Sequence, residues 1–253
     1  MVVTLTPLLN IPIVRPGDDL AGLLIAACAR GALAPADGDI WVVAQKIVSK
    51  AEGRHVDLAS VTPSERAQAL AAEVNKDPRL VEVILRESRR VVRYRPGVLI
   101  VEHRLGFIMA NAGVDRSNVD PDLGAEPVLL LPRDPDVSAE RLRERLAGHF
   151  RKQLAVIISD SWGRAWRRGT VGVALGAAGL PALMDMRGRP DLFGHALRVT
   201  QTGFADEIAS AASLLMGQSD EAQPVVLVHG LTWSGPPLPA ATLIRSPEED
   251  LFR

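Results

Sequence analysis

Residues 159–169 read SDSWGRAWRRG, so an acid and a hydroxyl stand directly ahead of two of the chain's four tryptophans and three arginines. The residues before them, Leu154 to Ile158, form a short apolar and largely β-branched run, which predicts a buried strand. Asp160 and Ser161 are then expected at the end of that strand, where side chains leave the sheet and can hold a metal or a phosphate. The same residues would also suit a turn, with Asp160 and Ser161 bonding their own backbone and Arg164, Arg167 and Arg168 on a solvated face. Both readings stand at this level.

Two further polar stretches could carry chemistry. NAGVDRSN, residues 111–118, follows the apolar FIMA at 107–110 and offers oxygens from Asp115, Ser117 and Asn118, the donor type that hard Mg²⁺ or Mn²⁺ prefers. MGQSDEAQ, residues 216–223, precedes the apolar PVVLV at 224–228. Two separated aspartates at strand ends and a basic loop together point to a divalent metal with a phosphate substrate. Lysines occur only at 46, 50, 76 and 152, and two of these fall in QKIVSK behind the strand-like IWVVA at 40–44. A compact ammonium in an arginine-using chain suits a phosphate, although an ordinary surface lysine would look the same. There is no P-loop signature and no nucleophile elbow. The five histidines are isolated, and Gly172, Gly176 and Gly179 are spaced for close packing rather than for a dinucleotide loop.

The elements that must position these residues are partly legible. Asp18 and Asp19 precede a helical stretch over 20–30 that places the single cysteine, Cys28, as a small buried residue. Thr62-Pro-Ser-Glu65 reads as a capping box with Pro63 at the first helical position, opening a helix to Asn75. Asp77-Pro78 opens a second to about Arg89, with Leu80, Val81, Val83 and Ile84 inward. Ser138 opens a third ending before Leu154, with Leu142, Leu146, His149 and Phe150 inward, and a fourth runs from Ala205 to Met216 with Ile208, Ala211, Ala212 and Leu215 inward. Strand-like runs cover 40–44, 98–102, 128–131, 154–158, 196–200 and 225–228. Strands and helices do not alternate regularly, so an α+β fold is expected. The 253 residues, 47% hydrophobic, suffice for one large domain or two small ones. A net charge of −1 argues against a coat on nucleic acid or an anionic membrane. The lone cysteine points to a reducing cytoplasm, and neither a membrane span nor a signal-peptide pattern is read.

Five stretches, in this order and spacing, resemble the coenzyme F420-0:L-glutamate ligase family over nearly the whole chain: IVSKAEGR at 47–54, NAGVDRSN at 111–118, SDSWGRAWRRG at 159–169, ADEIASA at 205–211 with Met216-Gly217, and SPEEDLFR at 246–253. The resemblance implies a GTP-dependent ligase with an unusual two-part mixed α+β fold, forming an intertwined homodimer. It implies one ligase domain over 1–253, open to division into two subdomains, without the nitroreductase-like domain that some relatives add. It further implies two divalent metals, Mg²⁺ or Mn²⁺, and allows a monovalent cation such as K⁺. Asp115 and Asp160 correspond to ligands of the first metal, Ser161 and Gln218 to ligands of the second. The GTP contacts correspond to Ile11, Pro12, Ile13 and Val14, Gln45, Lys50, Asn118, and the loop Met216, Gly217, Gln218, Ser219, Asp220, Glu221, Ala222 and Gln223. An amide at 218 is a weaker ligand than a carboxylate.

The chemistry so implied is activation of the F420-0 carboxylate by the γ-phosphoryl group of GTP, followed by attack of the L-glutamate amine. Asp115, Asp160 and Lys50 would be its catalytic groups. Arg164, Arg167 and Arg168 would bind acidic parts of the substrates, with the tryptophans beside the aromatic ring; alternatively Trp162 and Trp166 anchor a core. Two other classes stay open: a metal-dependent phosphohydrolase, and a nucleic-acid-binding module using the Arg/Trp run.

Overall fold

A computed structural model of the chain describes residues 2–251. In chain order the elements are β1 (Thr4–Pro7), α1 (Leu20–Arg30), β2 (Ile40–Ala44), α2 (Gln45–Ala51), β3 (His55–Asp57), α3 (Glu65–Val74), α4 (Pro78–Arg86), β4 (Ser88–Arg95), β5 (Val98–His103) and β6 (Ile108–Ala110). They continue with β7 (Pro127–Leu129), α5 (Pro135–Phe150), β8 (Ala155–Arg164), β9 (Arg167–Ala178), β10 (Met184–Asp185), β11 (Gln201–Thr202), α6 (Phe204–Met216) and β12 (Val225–His229). The class is mixed α+β, as expected. The described residues divide into two compact units, the first built from 2–14, 18–48 and 134–243, the second from 15–17, 49–133 and 244–251.

The first unit is organised by a five-stranded sheet in the order β1-β12-β2-β8-β9. Only β2 and β8 are parallel, and Ile40, Val42, Ala155, Ile157, Val226 and Val228 bury one face against α6. The glycines of β9 are required by this packing. A Cβ at Gly172 would overlap the Ala209 carbonyl of α6, and one at Gly176 would overlap the Pro135 carbonyl at the start of α5. Close approach of backbone to backbone, the packing reading of this glycine run, is therefore what the fold uses. The side chain of Asp136 ties the same corner, accepting the backbone N–H groups of Ala177 at 2.8 Å and Ala240 at 2.7 Å.

The second unit carries a three-stranded sheet β4-β5-β6, the pair β3-β7, and helices α3 and α4. One core joins Leu70, Val74, Val81, Ile84, Leu99 and Val101; a second joins Leu58, Val61, Val83, Val128 and Leu130. Arg54 pins the start of this unit, donating to the Leu131 carbonyl at 2.8 Å and to the buried Glu87 carboxylate at 2.9 Å.

Several local expectations are corrected. Ser64, not Thr62, caps α3, because its side chain accepts the Ala67 N–H. α4 stops at Arg86 rather than near Arg89: Glu87 closes it, and Ser88 begins a strand whose Arg90 pairs with Glu102 at 2.8 Å on β5. α5 starts at Pro135 under the Asp134 cap instead of at Ser138, and its His149 is exposed, meeting Phe150 edge-on. In the fourth helix Ala209 is buried and Ala211 only partly so. The run 196–200 is not a strand; it belongs to a turn-rich excursion held by bonds such as Leu197 N–H to the Arg189 carbonyl, 2.9 Å.

Candidate functional site

The largest correction falls on the SDSWGRAWRRG segment. β8 does not stop at Ile158. It continues to Arg164, turns through Ala165-Trp166 and returns as β9, so Asp160 and Ser161 lie within a strand and not at its end. What ends at this point is the pairing with β2, whose last partners are Ala44 and Ser159. A register shift between Ile158 and Ser159 marks the place. Beyond it, β8 and β9 run on as a two-stranded ribbon, and exposure rises from buried Ser159, through partly buried Asp160, Ser161 and Trp162, to exposed Gly163–Gly169. Trp166, at φ 66° in the turn, is 87% exposed and so anchors no core. Arg164, Arg167 and Arg168 are exposed near the tip, where Arg164 donates to the Gly169 carbonyl at 3.2 Å. Four steps along the strand separate Arg164 from Asp160, a span of roughly 13 Å.

The sheet order gathers the other candidates of the first unit at one edge. Parallel β2 and β8 reach this edge with Gln45 and with Asp160 and Ser161. β12, antiparallel to β2, begins there, directly after the 216–223 loop. β1, antiparallel to β12, ends there, and Leu8 donates its N–H to the Val225 carbonyl at 2.8 Å before the chain continues into Ile11–Val14. Four sequence-distant candidate stretches thus share the end of one sheet. Gln45 is buried, Val14 is buried and Ile13 is exposed.

Within this group one contact is direct: the Ser161 hydroxyl donates to Gln218 Oε1 at 2.8 Å. Ser161 pairs with Gly172, whose face packs on α6, and Gln218 lies just past the end of that helix, which Gly217 caps. Asp160, the next residue along the strand, points to the opposite face of the ribbon. Its carboxylate accepts the Ser161 N–H at 2.8 Å. In the loop, Glu221 folds back to accept the Ser219 N–H at 2.8 Å. Backbone N–H groups of Ser219, Glu221 itself and Gln218 hold its carboxyl below the ordinary range.

The second unit holds Lys50, Asp115 and Asn118. Lys50 occupies the last turn of α2. Asp115 forms a reciprocal backbone pair with Leu129, at 3.0 and 2.8 Å, and its carboxylate accepts the Ser117 N–H at 2.7 Å. The loop leading to it is strained: Asn111 and Ala112 both have positive φ, 54° and 52°, which for a buried alanine costs about 1 kcal/mol or more. Asn118 also has positive φ, 55°. Sequence reading missed one group here, His55, whose two ring nitrogens are both buried with no hydrogen-bond partner among the described residues.

No three His, Cys, Asp or Glu side chains cluster to hold a metal among the described residues. The oxygens present nevertheless suit a hard cation. Neighbouring ligands of an octahedral Mg²⁺, each at 2.0–2.1 Å, lie roughly 2.9 Å apart, and Ser161 Oγ and Gln218 Oε1 are 2.8 Å apart.

A family model described as F420-0:Gamma-glutamyl ligase matches residues 8–230. The chain belongs to this family. It is 47% identical over 249 residues to the Coenzyme F420:L-glutamate ligase of Methanothermobacter thermautotrophicus, covering 96% of each chain. It is 46% identical to the protein of the same name from Methanopyrus kandleri, over 95% of this chain and 93% of that one. The Archaeoglobus fulgidus counterpart is 42% identical over 100% of this chain and 97% of its own. The family's match spans both compact units. No described helix is long and apolar enough to cross a membrane.

Proposed function

We propose that this protein joins L-glutamate to the terminal carboxylate of F420-0 in coenzyme F420 biosynthesis, at the expense of GTP, in the cytoplasm. The observation that carries the reading is the convergence of Ile11–Val14, Gln45, Asp160-Ser161 and the 216–223 loop on one sheet edge, in a chain of the ligase family. A carboxylate does not condense with an amine at neutral pH. In the proposed reaction its oxygen attacks the γ-phosphorus of GTP, GDP leaves, and an acyl phosphate results. The glutamate amine then attacks the acyl carbon, phosphate leaves with the C–O bonding pair, and the amine loses a proton. The same steps, with the product as acceptor, would add further γ-linked glutamates.

Ser161 and Gln218 are proposed to hold one divalent cation, and Asp160 and Asp115 are each proposed as a carboxylate ligand of a divalent cation, with a monovalent cation such as K⁺ as a further candidate. Bound Mg²⁺ or Mn²⁺ would neutralise charge on the β- and γ-phosphates during transfer. Lys50 adds a point charge for a phosphate oxygen. The 216–223 loop offers backbone N–H groups that here donate to an anionic partner, the chain's own Glu221. Asn118 is proposed as a further GTP contact.

The ribbon tip bears on assembly. Trp166 is 87% exposed, and Leu192 and Phe193, at the tip of the 186–200 excursion, are 98% and 86% exposed. Apolar side chains on two projecting hairpins support a homodimer that covers them. Arg164, Arg167 and Arg168 would then act on acidic substrate groups from the exposed ribbon.

The deciding experiment incubates purified protein with F420-0, GTP, L-glutamate and Mn²⁺ and follows the product by mass. A glutamyl increment that requires GTP supports the reading. GTP consumption that proceeds equally without glutamate would point to the phosphohydrolase instead.

A further inference from the structure

The pairing of β3, β7 and the Asp115 segment gives the second unit a face that local sequence does not reveal. Leu129 lies opposite His55 on one side and opposite Asp115 on the other. Residues directly opposed across strands share a face, so His55, Leu129 and Asp115 project together. Val56, Val128 and Val114 project the other way, into or against the core around Leu58 and Val83. Strand spacing sets His55 and Asp115 roughly 10 Å apart at their backbones, with Leu129 between them.

His55 is chemically out of place on that face. Both ring nitrogens are closed off from solvent, and no group among the described residues bonds to either. Burial pushes the imidazole pKa below its ordinary value, the nearby Lys50 ammonium pushes it further, and Asp120 pulls partly back. At neutral pH the ring is therefore uncharged, with one N–H to give and one lone pair to receive. A buried imidazole with both functions unmet costs stability. Leu129 and Lys50 cannot meet them both, since a leucine has no polar atom and an ammonium only donates. A ligand rich in acceptor oxygens, drawn by Lys50, would take the N–H.

We propose that His55 is a binding residue for the phosphate chain of the nucleotide, donating its ring N–H to a phosphate oxygen on the face it shares with Asp115, beside Lys50. This rests on the nucleotide-dependent reading above. It adds a ring N–H donor to the Lys50 and Asn118 contacts proposed above, and it makes His55 specific for nucleotide rather than for L-glutamate or F420-0.

The test uses the whole protein labelled with ¹⁵N, and guanosine 5′-(β,γ-imido)triphosphate with Mg²⁺ as probe. Calorimetry measures binding, and imidazole ¹⁵N correlation spectra, assigned through His55→Gln, report the ring. We expect one His55 nitrogen resonance to move as the probe saturates the wild-type protein. His55→Leu should weaken probe binding by about 10- to 100-fold, the range for a hydrogen bond to a charged group, while KM for L-glutamate is unchanged. His55→Gln, which retains a donor, should recover binding to within about threefold. Saturation of the wild-type protein without movement of the His55 resonances would overturn the proposal and leave the nucleotide reading intact. Failure of the probe to bind the wild-type protein would remove the nucleotide reading and this proposal with it.

Discussion

The hydroxyl of Ser161 and the amide oxygen of Gln218 lie 2.8 Å apart, although 57 positions separate them in the chain. Strand β8 brings one and the end of α6 brings the other. If this pair holds a cation, the charge at position 218 sets how tightly. Gln218→Glu keeps the oxygen and adds a negative charge, and should tighten Mn²⁺ binding on the order of tenfold, as ligand charge tunes such sites. Ser161→Ala should weaken it. Titration of Mn²⁺ followed by electron paramagnetic resonance measures both, and unchanged affinity in both variants would remove the pair from the metal assignment.

Asp160→Asn separates a catalytic carboxylate from a structural one. The native carboxylate accepts the Ser161 N–H, and an asparagine Oδ1 can accept the same bond. Melting temperature should therefore hardly move. Loss of the charge that would hold the transferring phosphate's cation should lower turnover by at least ~10²-fold, roughly 2.7 kcal/mol in the barrier. Near-normal ligation by a well-folded variant would return Asp160 to a purely local role.

Gly176→Ala tests whether the glycines of β9 are there for packing. Its Cβ would overlap the Pro135 carbonyl, backbone that belongs to the first turn of α5 and is held by the bonds to Asp136. The variant should lose about 3 kcal/mol in urea unfolding, the upper range for overpacking. A loss under about 0.5 kcal/mol, ordinary for a surface change, would contradict the close approach.

These cases show what the sequence discloses and what it withholds. Helices α1, α4 and α6 were legible because their caps and apolar spacing are local: Asp19, Asp77 and Gly217 stand at their termini. The ribbon of β8 and β9 was hidden because apolar character stops at Ile158 while pairing does not, and its outer part, exposed over 163–169, has no apolar alternation to detect. The grouping of Gln45, Ser161 and Gln218 depends on the order β12-β2-β8, a set of non-local pairings with no local signal. The face shared by His55 and Asp115 likewise exists only through Leu129. The motifs named the polar residues; topology decided which of them meet.

The last expectation concerns Asp206, in the first turn of α6. Its carboxylate accepts the Ala174 N–H at 2.8 Å, at the level where β9 meets Ser159. Burial raises its pKa above the ordinary 3.8, and the Ala174 bond only partly offsets this. A folded-state pKa above the unfolded one means that the folded protein binds the proton more tightly. The stability Asp206 contributes is then fully present below its unfolded pKa, and it is lost as pH rises through the folded value. At neutral pH the ionised group opposes folding. Asp206→Asn keeps an oxygen for the Ala174 N–H and removes the charge, so it should melt above the wild-type protein at pH 7. The difference should shrink as pH falls toward 4, because the wild-type carboxyl then takes up its proton. Thermal melts of both proteins across that range check the sign. A variant less stable than wild type at pH 7, with a gap that narrows in acid, would mean that the ionised carboxylate stabilises this corner and that its folded pKa lies below the unfolded one.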